Sequence, residues 1–459
     1  MPRRFPFICF LLVWLLLPVF VWAAADHKDM VQGPFKTGQE VTDVCLGCHE
    51  QQAADFMKTV HWTWQEKQQV PGKGEVSIGK INLINNFCIA LPSNWPRCTS
   101  CHAGYGWKDA SFKFDDPNNV DCLVCHDTTG TYVKSPAGAG NPDPKVDLLK
   151  VAQNVGKPSR QNCGTCHFFG GGGDHIKHGD LDSSMLKPSR DIDVHMAAAK
   201  PNMSCQDCHK TKEHAIPGES LAVSLGKGMR VACTDCHGEA PHKIPTYNRH
   251  TKRVACETCH VPVFAKGLPT KVWWDWSKAG ETRPVSKDKY GLETYVKIKG
   301  EFKWEKDIVP TYLWYNGEAS RYLLGDTIDP SKVVPLNHPL GDRKDPKAKI
   351  MPFKVMRGKQ PYDLKLKTMV VPHLFGGYWN HFEWGKAIKD GMQAAGLPYS
   401  GEYGWVETVM YWKVNHMVAP KQAALKCTAC HRDKGGLLNW KALGYAGDPA
   451  QAAAPTPAK

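Results

Sequence analysis

The sixteen residues FCIALPSNWPRCTSCH, at positions 87–102, hold a C-x-x-C-H motif and, ten positions before it, a cysteine without a partner, Cys88. The same motif occurs eight times, and we number its copies in chain order: motif 1 (Cys45, Cys48, His49), motif 2 (Cys98, Cys101, His102), motif 3 (Cys122, Cys125, His126), motif 4 (Cys163, Cys166, His167), motif 5 (Cys205, Cys208, His209), motif 6 (Cys233, Cys236, His237), motif 7 (Cys256, Cys259, His260) and motif 8 (Cys427, Cys430, His431). The motifs use sixteen of the eighteen cysteines, and Cys9 lies near the N-terminus, so Cys88 is left over.

A C-x-x-C-H run places two thiols one helical turn apart, where they can add to the two vinyl groups of a haem. The histidine that follows then becomes an iron ligand. A single C-x-x-C could instead be a zinc knuckle, a redox pair or half of a disulfide framework. Here every pair is followed by His, so the array predicts eight covalently attached haem c groups.

The N-terminus has the layout of a secretory signal peptide. Arg3 and Arg4 precede an apolar run from Phe5 to Trp22, and three alanines follow at 23–25. A retained membrane anchor is the alternative, but the continuous apolar part is short for a span of about 20 residues. We expect residues 1–25 to be removed and the mature chain to be a soluble periplasmic protein.

The formal net charge of +13 does not by itself indicate a nucleic-acid partner. Each haem brings two propionates, so eight haems would add about sixteen negative charges and offset most of the excess. The chain has no clustered basic tract, phosphate-binding loop or aromatic RNA motif. We therefore expect no nucleic acid and a small anionic substrate.

The spacing of the motifs divides the chain. The motif-free stretch contains an alternating run, Tyr295 to Trp304, that predicts a β-hairpin, and two runs, Trp384 to Ala395 and Glu407 to Met417, that predict amphipathic helices. The expected fold is mainly α with much irregular structure and a small β element, packed around a haem chain. The predicted regions are 26–262 with seven haems including an active one, 263–426 without haem, 427–445 with the eighth haem, and 446–459 as a disordered tail.

An electron-transfer haem needs a second strong axial ligand, most often His. Twelve histidines lie outside the motifs. Those near a motif, or on a predicted helix leading to one, are the candidate distal ligands: His61, His178, His195, His214, His242, His250 and His416, with His27 in reserve. We expect His338, His373 and His381 to be structural or to face the substrate.

An enzyme needs one iron whose sixth position can open. Deprotonated lysine is a weaker ligand than imidazole, and burial lowers its pKa. Lys177 is the candidate, because it follows the glycine run 170–173 and lies close to Asp174. The glycines could bring the backbone over a haem face, and the alternatives are a flexible loop and an ordinary surface lysine.

The chain resembles the octahaem tetrathionate reductase family of periplasmic cytochromes c, which is related to pentahaem nitrite reductase and hydroxylamine oxidoreductase. The resemblance covers nearly the whole mature chain and includes the eight motifs and four further segments: Gly170 to Asp174, Lys177 to Asp180, Val254 to Pro262 and Asn415 to Pro420. It implies that Lys177 is the distal ligand of an active haem on motif 2, with Cys88 and Asp174 beside it. The C-x-x-C-K motif of related octahaem nitrite reductases is absent.

The expected function is therefore reduction of tetrathionate to thiosulfate by a multihaem oxidoreductase. Cys88, Asp174 and Lys177 would be catalytic, and a periplasmic or membrane quinol-linked donor would supply electrons. Reduction of nitrite or hydroxylamine to ammonium at the same haem is one alternative. A non-catalytic electron conduit, with Cys88 as a buried filler, is the other.

Overall fold

A computed structural model describes residues 26–87, 89–216, 218, 231–432 and 434–452. The predicted signal peptide, Cys88 and the end of the predicted tail lie outside the described residues. Within the described part, no helix is long and apolar enough to span a bilayer.

The described residues up to His260 form short helices and one β-hairpin, joined by irregular segments. Only α2 is long, and it begins at a capping box in which the Thr37 side chain accepts from Glu40 N. Most motifs form one helical turn, which is the local geometry that a C-x-x-C pair requires. The elements are α1 (His27–Met30), α2 (Gly38–Phe56), α3 (Val60–Thr63), β1 (Gln65–Val70), β2 (Gly74–Gly79), α4 (Trp95–Cys98), α5 (Leu123–His126), α6 (Leu148–Ala152), α7 (Arg160–His167), α8 (Cys205–Cys208), α9 (Cys233–His237), α10 (Pro245–His250) and α11 (Cys256–His260), with 3₁₀ turns at Thr99–Cys101, Pro117–Asn119 and Ser183–Leu186.

The region that follows is built on a seven-stranded sheet. Its elements are β3 (Thr270–Asp275), β4 (Tyr295–Val296), β5 (Gly300–Glu305), β6 (Thr311–Tyr315), β7 (Ala319–Arg321), β8 (Val334–Pro335), β9 (Asn337–Pro339), β10 (Lys349–Asp363), α12 (Trp379–His381), α13 (Trp384–Ala394), β11 (Tyr403–Lys413), α14 (Cys427–Cys430) and α15 (Pro449–Ala452), with 3₁₀ turns at Trp276–Lys278 and Lys421–Ala423 and a π-turn at Leu374–Tyr378. The strand order is β4-β5-β3-β10-β11-β8, and β6 pairs with β10. The predicted hairpin is present as the antiparallel pair β4 and β5.

The sheet is larger than the sequence suggests, and one predicted helix is wrong. The run from Glu407 to Met417 lies mostly in β11, which pairs antiparallel with β10 from Phe353↔Lys413 to Asp363↔Tyr403. Both faces of β11 carry buried residues, so its apolar positions do not alternate strictly and resemble a helical pattern. Helix makes up 27% and strand 20%, so the predicted predominance of helix is not observed.

The largest hydrophobic core joins this sheet to the stretch around motif 2. Trp274, Met356 and Met410 from the strands pack with Phe87 and Ile89, the neighbours of Cys88. Helix α13, which agrees with the predicted helix at Trp384–Ala395, covers the same core through Ile388 and its neighbours. The region predicted to lack haem therefore supports the segment that leads into motif 2.

The C-terminal segment differs from the predicted disorder as far as it is described. Asp448 Oδ1 accepts a hydrogen bond from His431 Nδ1 at 2.6 Å, and helix α15 follows it. Residues 453–459 lie outside the described part. The prediction of a disordered tail from residue 446 missed this contact because a carboxylate seventeen positions from its partner gives no local pattern.

Candidate haem ligands and active site

One large cavity, of about 2150 Å³, runs through the part of the chain that carries motifs 1 to 5. Cysteines of all five motifs line it, together with Lys177, His178 and Trp412. Its walls are mostly apolar side chains, as a macrocycle with apolar faces requires. Its size and its lining fit several haems rather than one small ligand.

Histidine rings face one another in seven pairs, each with one motif histidine and one other; in four of the pairs both rings line this cavity. The distances between ring centres are His27–His49 6.3 Å, His61–His167 6.0 Å, His126–His214 5.9 Å, His195–His237 6.0 Å, His209–His416 6.3 Å, His242–His260 6.0 Å and His250–His431 6.2 Å. An iron held between two imidazole nitrogens at about 2 Å each puts the ring centres about 6 Å apart. The seven pairs thus have the spacing of bis-histidine haem ligands.

Six of the seven histidines expected as distal ligands are in these pairs, and the reserve candidate His27 completes the set. His178 is different, because its ring meets the edge of Trp412 at 5.6 Å rather than a motif histidine. The sequence favoured His178 because it lies close to motif 4. In the structure, that place opposite His167 is taken by His61, which comes from α3.

Motif 2 is the exception among the eight. The ring of His102 lies among aromatic rings, 4.8 Å from Trp107 and 5.1 Å from Trp62, and its Nε2 is 2.7 Å from the Trp62 carbonyl oxygen. Burial lowers the pKa of this imidazole to about 3. Because Nε2 donates to a carbonyl here, iron ligation by His102 as predicted requires the ring to turn toward the cavity. Among the described residues, no second histidine pairs with it.

Contacts between cysteines of different motifs order the motifs in space. Cys166 Sγ of motif 4 lies 3.6 Å from the Cys101 carbonyl oxygen of motif 2. Thiols of different motifs also shift one another's pKa, which places them near each other: Cys45 and Cys122, Cys101 and Cys166, Cys163 and Cys205, Cys233 and Cys256, Cys125 and Cys163, Cys208 and Cys236, and Cys259 and Cys430. The order is 1-3-4-5-6-7-8, and motif 2 branches from motif 4.

The glycine run before Lys177 allows close approaches that any side chain would block. A Cβ at Gly170 would lie 3.1 Å from Lys177 Cδ, and one at Gly171 would lie 2.9 Å from the Phe87 ring. Gly171 also has a φ of +83°, which L residues rarely adopt. The loop thus packs against Lys177 and beside the residue that precedes Cys88.

Lys177 is buried, with 6% of its surface exposed, and its Nζ lies 4.8 Å above the ring of Trp412. It lines the same cavity as Cys98 and Cys101 of motif 2. The Asp174 carboxylate, which was expected to be catalytic beside Lys177, accepts hydrogen bonds from the backbone N–H and the hydroxyl of Ser183. Asp174 therefore fixes the loop to the turn at Ser183–Leu186.

Two buried residues of the sheet hold the backbone of this loop, and no sequence pattern indicates them. Lys354 Nζ, on β10, donates to the carbonyl oxygens of Ile176 at 2.8 Å and Lys177 at 2.9 Å. It also donates to the hydroxyl of Thr270 on β3 at 2.6 Å, and that hydroxyl donates to the His175 carbonyl. Burial lowers the pKa of Lys354 to about 7. From the sequence alone, a lysine in a strand is expected to face solvent, so the buried position of Lys354 could not be predicted.

Asp180 is a third residue that sequence reasoning missed. Its Oδ2 accepts from the backbone N–H groups of Asn415 at 2.8 Å and His416 at 2.9 Å. The same oxygen is 3.2 Å from His416 Nδ1. The aspartate holds the pKa of His416 above its usual value, although burial acts in the opposite direction. The position lies in the run Lys177 to Asp180, but its partner is 236 residues away.

Comparison with known proteins gives the class first. Three cytochrome c family descriptions match separate parts of the chain: cytochrome c554 and c-prime over residues 44–127, cytochrome c7 and related cytochrome c over 188–268, and bacterial cytochrome c over 271–434. An uncharacterized protein of Archaeoglobus fulgidus is 24% identical over 244 residues, covering 41% of this chain and 79% of that one. The chain is a multihaem c-type cytochrome with covalently attached haem.

The family follows from a solved structure. The crystal structure of octaheme cytochrome c from Shewanella oneidensis matches with a TM-score of 0.89 and 54% sequence identity. The match covers 93% of this chain and 98% of that one. The present chain belongs to the octahaem cytochrome c family, as its motifs predicted.

Proposed function

We propose that this protein is an octahaem reductase that cleaves tetrathionate to thiosulfate at a haem on motif 2, with Lys177 as the distal ligand. Seven bis-histidine haems would relay the electrons. One observation carries the proposal. Seven motif histidines each face a second imidazole, whereas motif 2 has no such partner among the described residues and shares its cavity with a buried lysine.

The branched order of the motifs supports this division of roles. Motif 2 touches only motif 4 in the chain of thiol contacts, whereas motifs 3 to 7 each have neighbours on two sides. A site at the end of a branch can accept substrate without interrupting the relay. The haems, when bound, supply and relay single electrons; the selectivity has to come from the residues around motif 2.

Lys177 and Trp412 would recognise the substrate. Tetrathionate is a dianion, and a buried ammonium is a strong partner for an anion because few waters screen it. Lys354 holds the Lys177 carbonyl, so the side chain of Lys177 stays at the cavity, where its Nζ would bind the anion. The indole of Trp412 provides an apolar face for the polysulfur chain, and Asp174 keeps the loop in place through Ser183.

The sulfur chemistry is assigned to Cys88, which follows Phe87 in the sequence; Phe87 lines the cavity. Attack of the Cys88 thiolate on a central sulfur breaks the S–S bond, releases one thiosulfate and leaves the other thiosulfate unit bonded to Sγ. Two electrons, delivered one at a time, then break that new bond. They release the second thiosulfate and restore the thiolate, so the cycle balances without another reactant.

The proposal also places the protein after export in the periplasm, once residues 1–25 are removed, with a quinol-linked or periplasmic electron donor. Haem attachment to reduced C-x-x-C pairs takes place after export in bacteria, which agrees with a secretory N-terminus. The haem count expected is eight, one for each motif.

Replacement of Cys88 by Ser in the haem-loaded protein tests the sulfur step. Tetrathionate turnover with a reduced viologen dye should fall at least tenfold while the eight haems remain attached, because a hydroxyl is a far weaker nucleophile than a thiolate at neutral pH. The matched control is Ser100→Ala inside motif 2. Unchanged tetrathionate turnover in the Cys88 variant contradicts the proposed step.

The same variant separates the alternatives. If nitrite or hydroxylamine turnover is fast in the parent and survives the loss of Cys88, the site is a nitrogen-oxide reductase. If the parent protein shows eight spectroscopically equivalent bis-histidine haems and no turnover of any of these anions, the protein is an electron conduit.

A further inference from the structure

In two of the seven histidine pairs, a carboxylate binds the outer nitrogen of one ring. His416 Nδ1 faces the Asp180 carboxylate at 3.2 Å, and His431 Nδ1 donates to the Asp448 carboxylate at 2.6 Å. In two other pairs the acceptor is neutral: the Gly156 carbonyl for His126 and the Asn248 side chain for His242. Within the motif 8 pair itself, the second ring, that of His250, donates from Nδ1 to the Thr246 carbonyl. His61 Nδ1 has no hydrogen-bond partner among the described residues.

Both carboxylates are buried and fixed. The side chain of Asp180 has 4% of its surface exposed, and the two backbone N–H groups at Asn415 and His416 hold its Oδ2 in place. The side chain of Asp448 is also 4% exposed, and its Oδ1 accepts a further bond from Ala450 N at 2.9 Å. A negative charge in such a position is screened weakly.

The orientation leaves the inner nitrogens to the metal. Because Nδ1 is engaged in both residues, Nε2 is the nitrogen available on the side of the paired histidine. A carboxylate that accepts the outer N–H makes the imidazole a stronger electron donor at its other nitrogen. A stronger donor and a nearby negative charge both stabilise ferric iron relative to ferrous iron, because the ferric state carries one more positive charge.

We propose that Asp180 and Asp448 are positioning residues that give the haems of motifs 5 and 8 lower reduction potentials than those of the other bis-histidine pairs. In the spatial order of the motifs, motif 8 is one end of the relay, and motif 5 lies directly before motif 4, from which motif 2 branches. One electron on the haem of motif 5 therefore moves downhill to motif 4, oxidising the first haem and reducing the second. Asp180 sets the driving force at the step before the branch.

This inference rests on bis-histidine ligation of motifs 5 and 8 and does not depend on Lys177 or on the substrate. It also assigns each of the two carboxylates, which are far apart in the sequence, to a different haem. Each can therefore be tested without the other.

The experiment is a spectroelectrochemical titration of the full haem-loaded protein. In Asp180→Asn one one-electron component should move to a more positive potential, and in Asp448→Asn a different component should do so, with the haem content unchanged. Asp180→Glu, which keeps the charge, should stay close to the parent. Electron paramagnetic resonance of the ferric protein should show an altered signal for one low-spin haem in each Asn variant.

Asp207→Asn is the matched control. Asp207 lies inside motif 5, between Cys205 and Cys208, and loses the same charge, but its carboxylate binds Ser204 rather than a histidine. If Asp180→Asn shifts no component, or shifts one only as far as Asp207→Asn does, the inference is wrong. If both Asn variants lose haem, the ferric signals of the parent protein decide. The inference expects two low-spin bis-histidine haems whose signals differ from the other five because of a stronger axial donor, and seven equivalent bis-histidine signals would show that it is wrong.

Discussion

Replacement of Lys354 by Met should loosen the loop that carries Lys177 while leaving the sheet folded. The change keeps the length of the side chain but removes three hydrogen bonds from a buried ammonium, two of them to the carbonyls of Ile176 and Lys177. Each carbonyl left without its donor costs about 1–3 kcal/mol. The loss of the buried charge offsets part of this free-energy cost, because burial disfavours the charged form of Lys354, as its lowered pKa shows.

We expect the substitution to destabilise the closed conformation of the loop at 170–180 by roughly 2–4 kcal/mol. Since every 1.4 kcal/mol is a factor of ten, the open form of the loop should become about 30 to 1000 times more populated. Hydrogen exchange of peptides covering residues 170–180 should speed up accordingly. Near-infrared magnetic circular dichroism of the ferric protein should show weakened lysine ligation at one haem.

Lys271→Met is the matched control for this experiment. Lys271 is on the neighbouring strand β3 and is equally buried, but its Nζ lies among the rings of Trp274, Phe302 and Trp304 and not on the loop. Exchange in the loop that is the same in Lys354→Met and in the parent would refute the reasoning. Equal acceleration in both lysine variants would show a general loss of sheet stability instead.

Three further outcomes follow from the geometry. His27→Ala should convert one low-spin haem to a high-spin form, whereas His178→Ala should leave all seven bis-histidine signals intact; the reverse result, read by electron paramagnetic resonance, would contradict the pairing with His49. Gly171→Val should raise the rate of exchange in the loop and lower substrate affinity, because its Cβ would lie 2.9 Å from Phe87 and its φ is +83°; an unchanged KM would be the contrary result. Burial lowers the folded-state pKa of Lys271, so below about pH 10.5 the unfolded parent chain binds more protons than the folded one, and the free energy of unfolding of the parent rises with pH. In Lys271→Met this rise should be smaller. The same pH dependence of the free energy of unfolding in variant and parent, measured by denaturation at several pH values, would contradict the prediction.

The sequence was informative wherever chemistry imposes a local spacing. The eight motifs and the class of protein were predictable because a haem needs two thiols one turn apart and an imidazole close by. For the distal ligands, the structure brings His27 rather than His178 opposite a motif histidine, because proximity along the chain is not proximity in space. His27 pairs with His49 through the fold of α1 beside α2, which no local pattern reveals.

Contacts between residues far apart in the sequence could not be predicted. Strand β11 was predicted as a helix because the sheet and the core bury both of its faces, so the usual alternation of a strand is lost. No local pattern distinguishes Lys354 and Asp180 from other lysines and aspartates, because each binds a partner more than 170 residues away. Their roles depend on burial, which is a property of the folded chain.

The segment from Ile176 to Asp180 shows how the sheet and the predicted haem relay are connected. Lys354 on β10 binds the carbonyls at one end of this segment, and Asp180 at the other end binds the backbone at Asn415 and His416, directly after β11. The two strands are hydrogen-bonded neighbours over eleven residue pairs, so both ends of the segment are fixed to one rigid unit. Lys177, the candidate ligand for motif 2, and His416, the partner of motif 5, are therefore held by the same pair of strands. The region without haem motifs sets the distance between the proposed catalytic lysine and the relay, which explains why a chain of haems needs a seven-stranded sheet beside it.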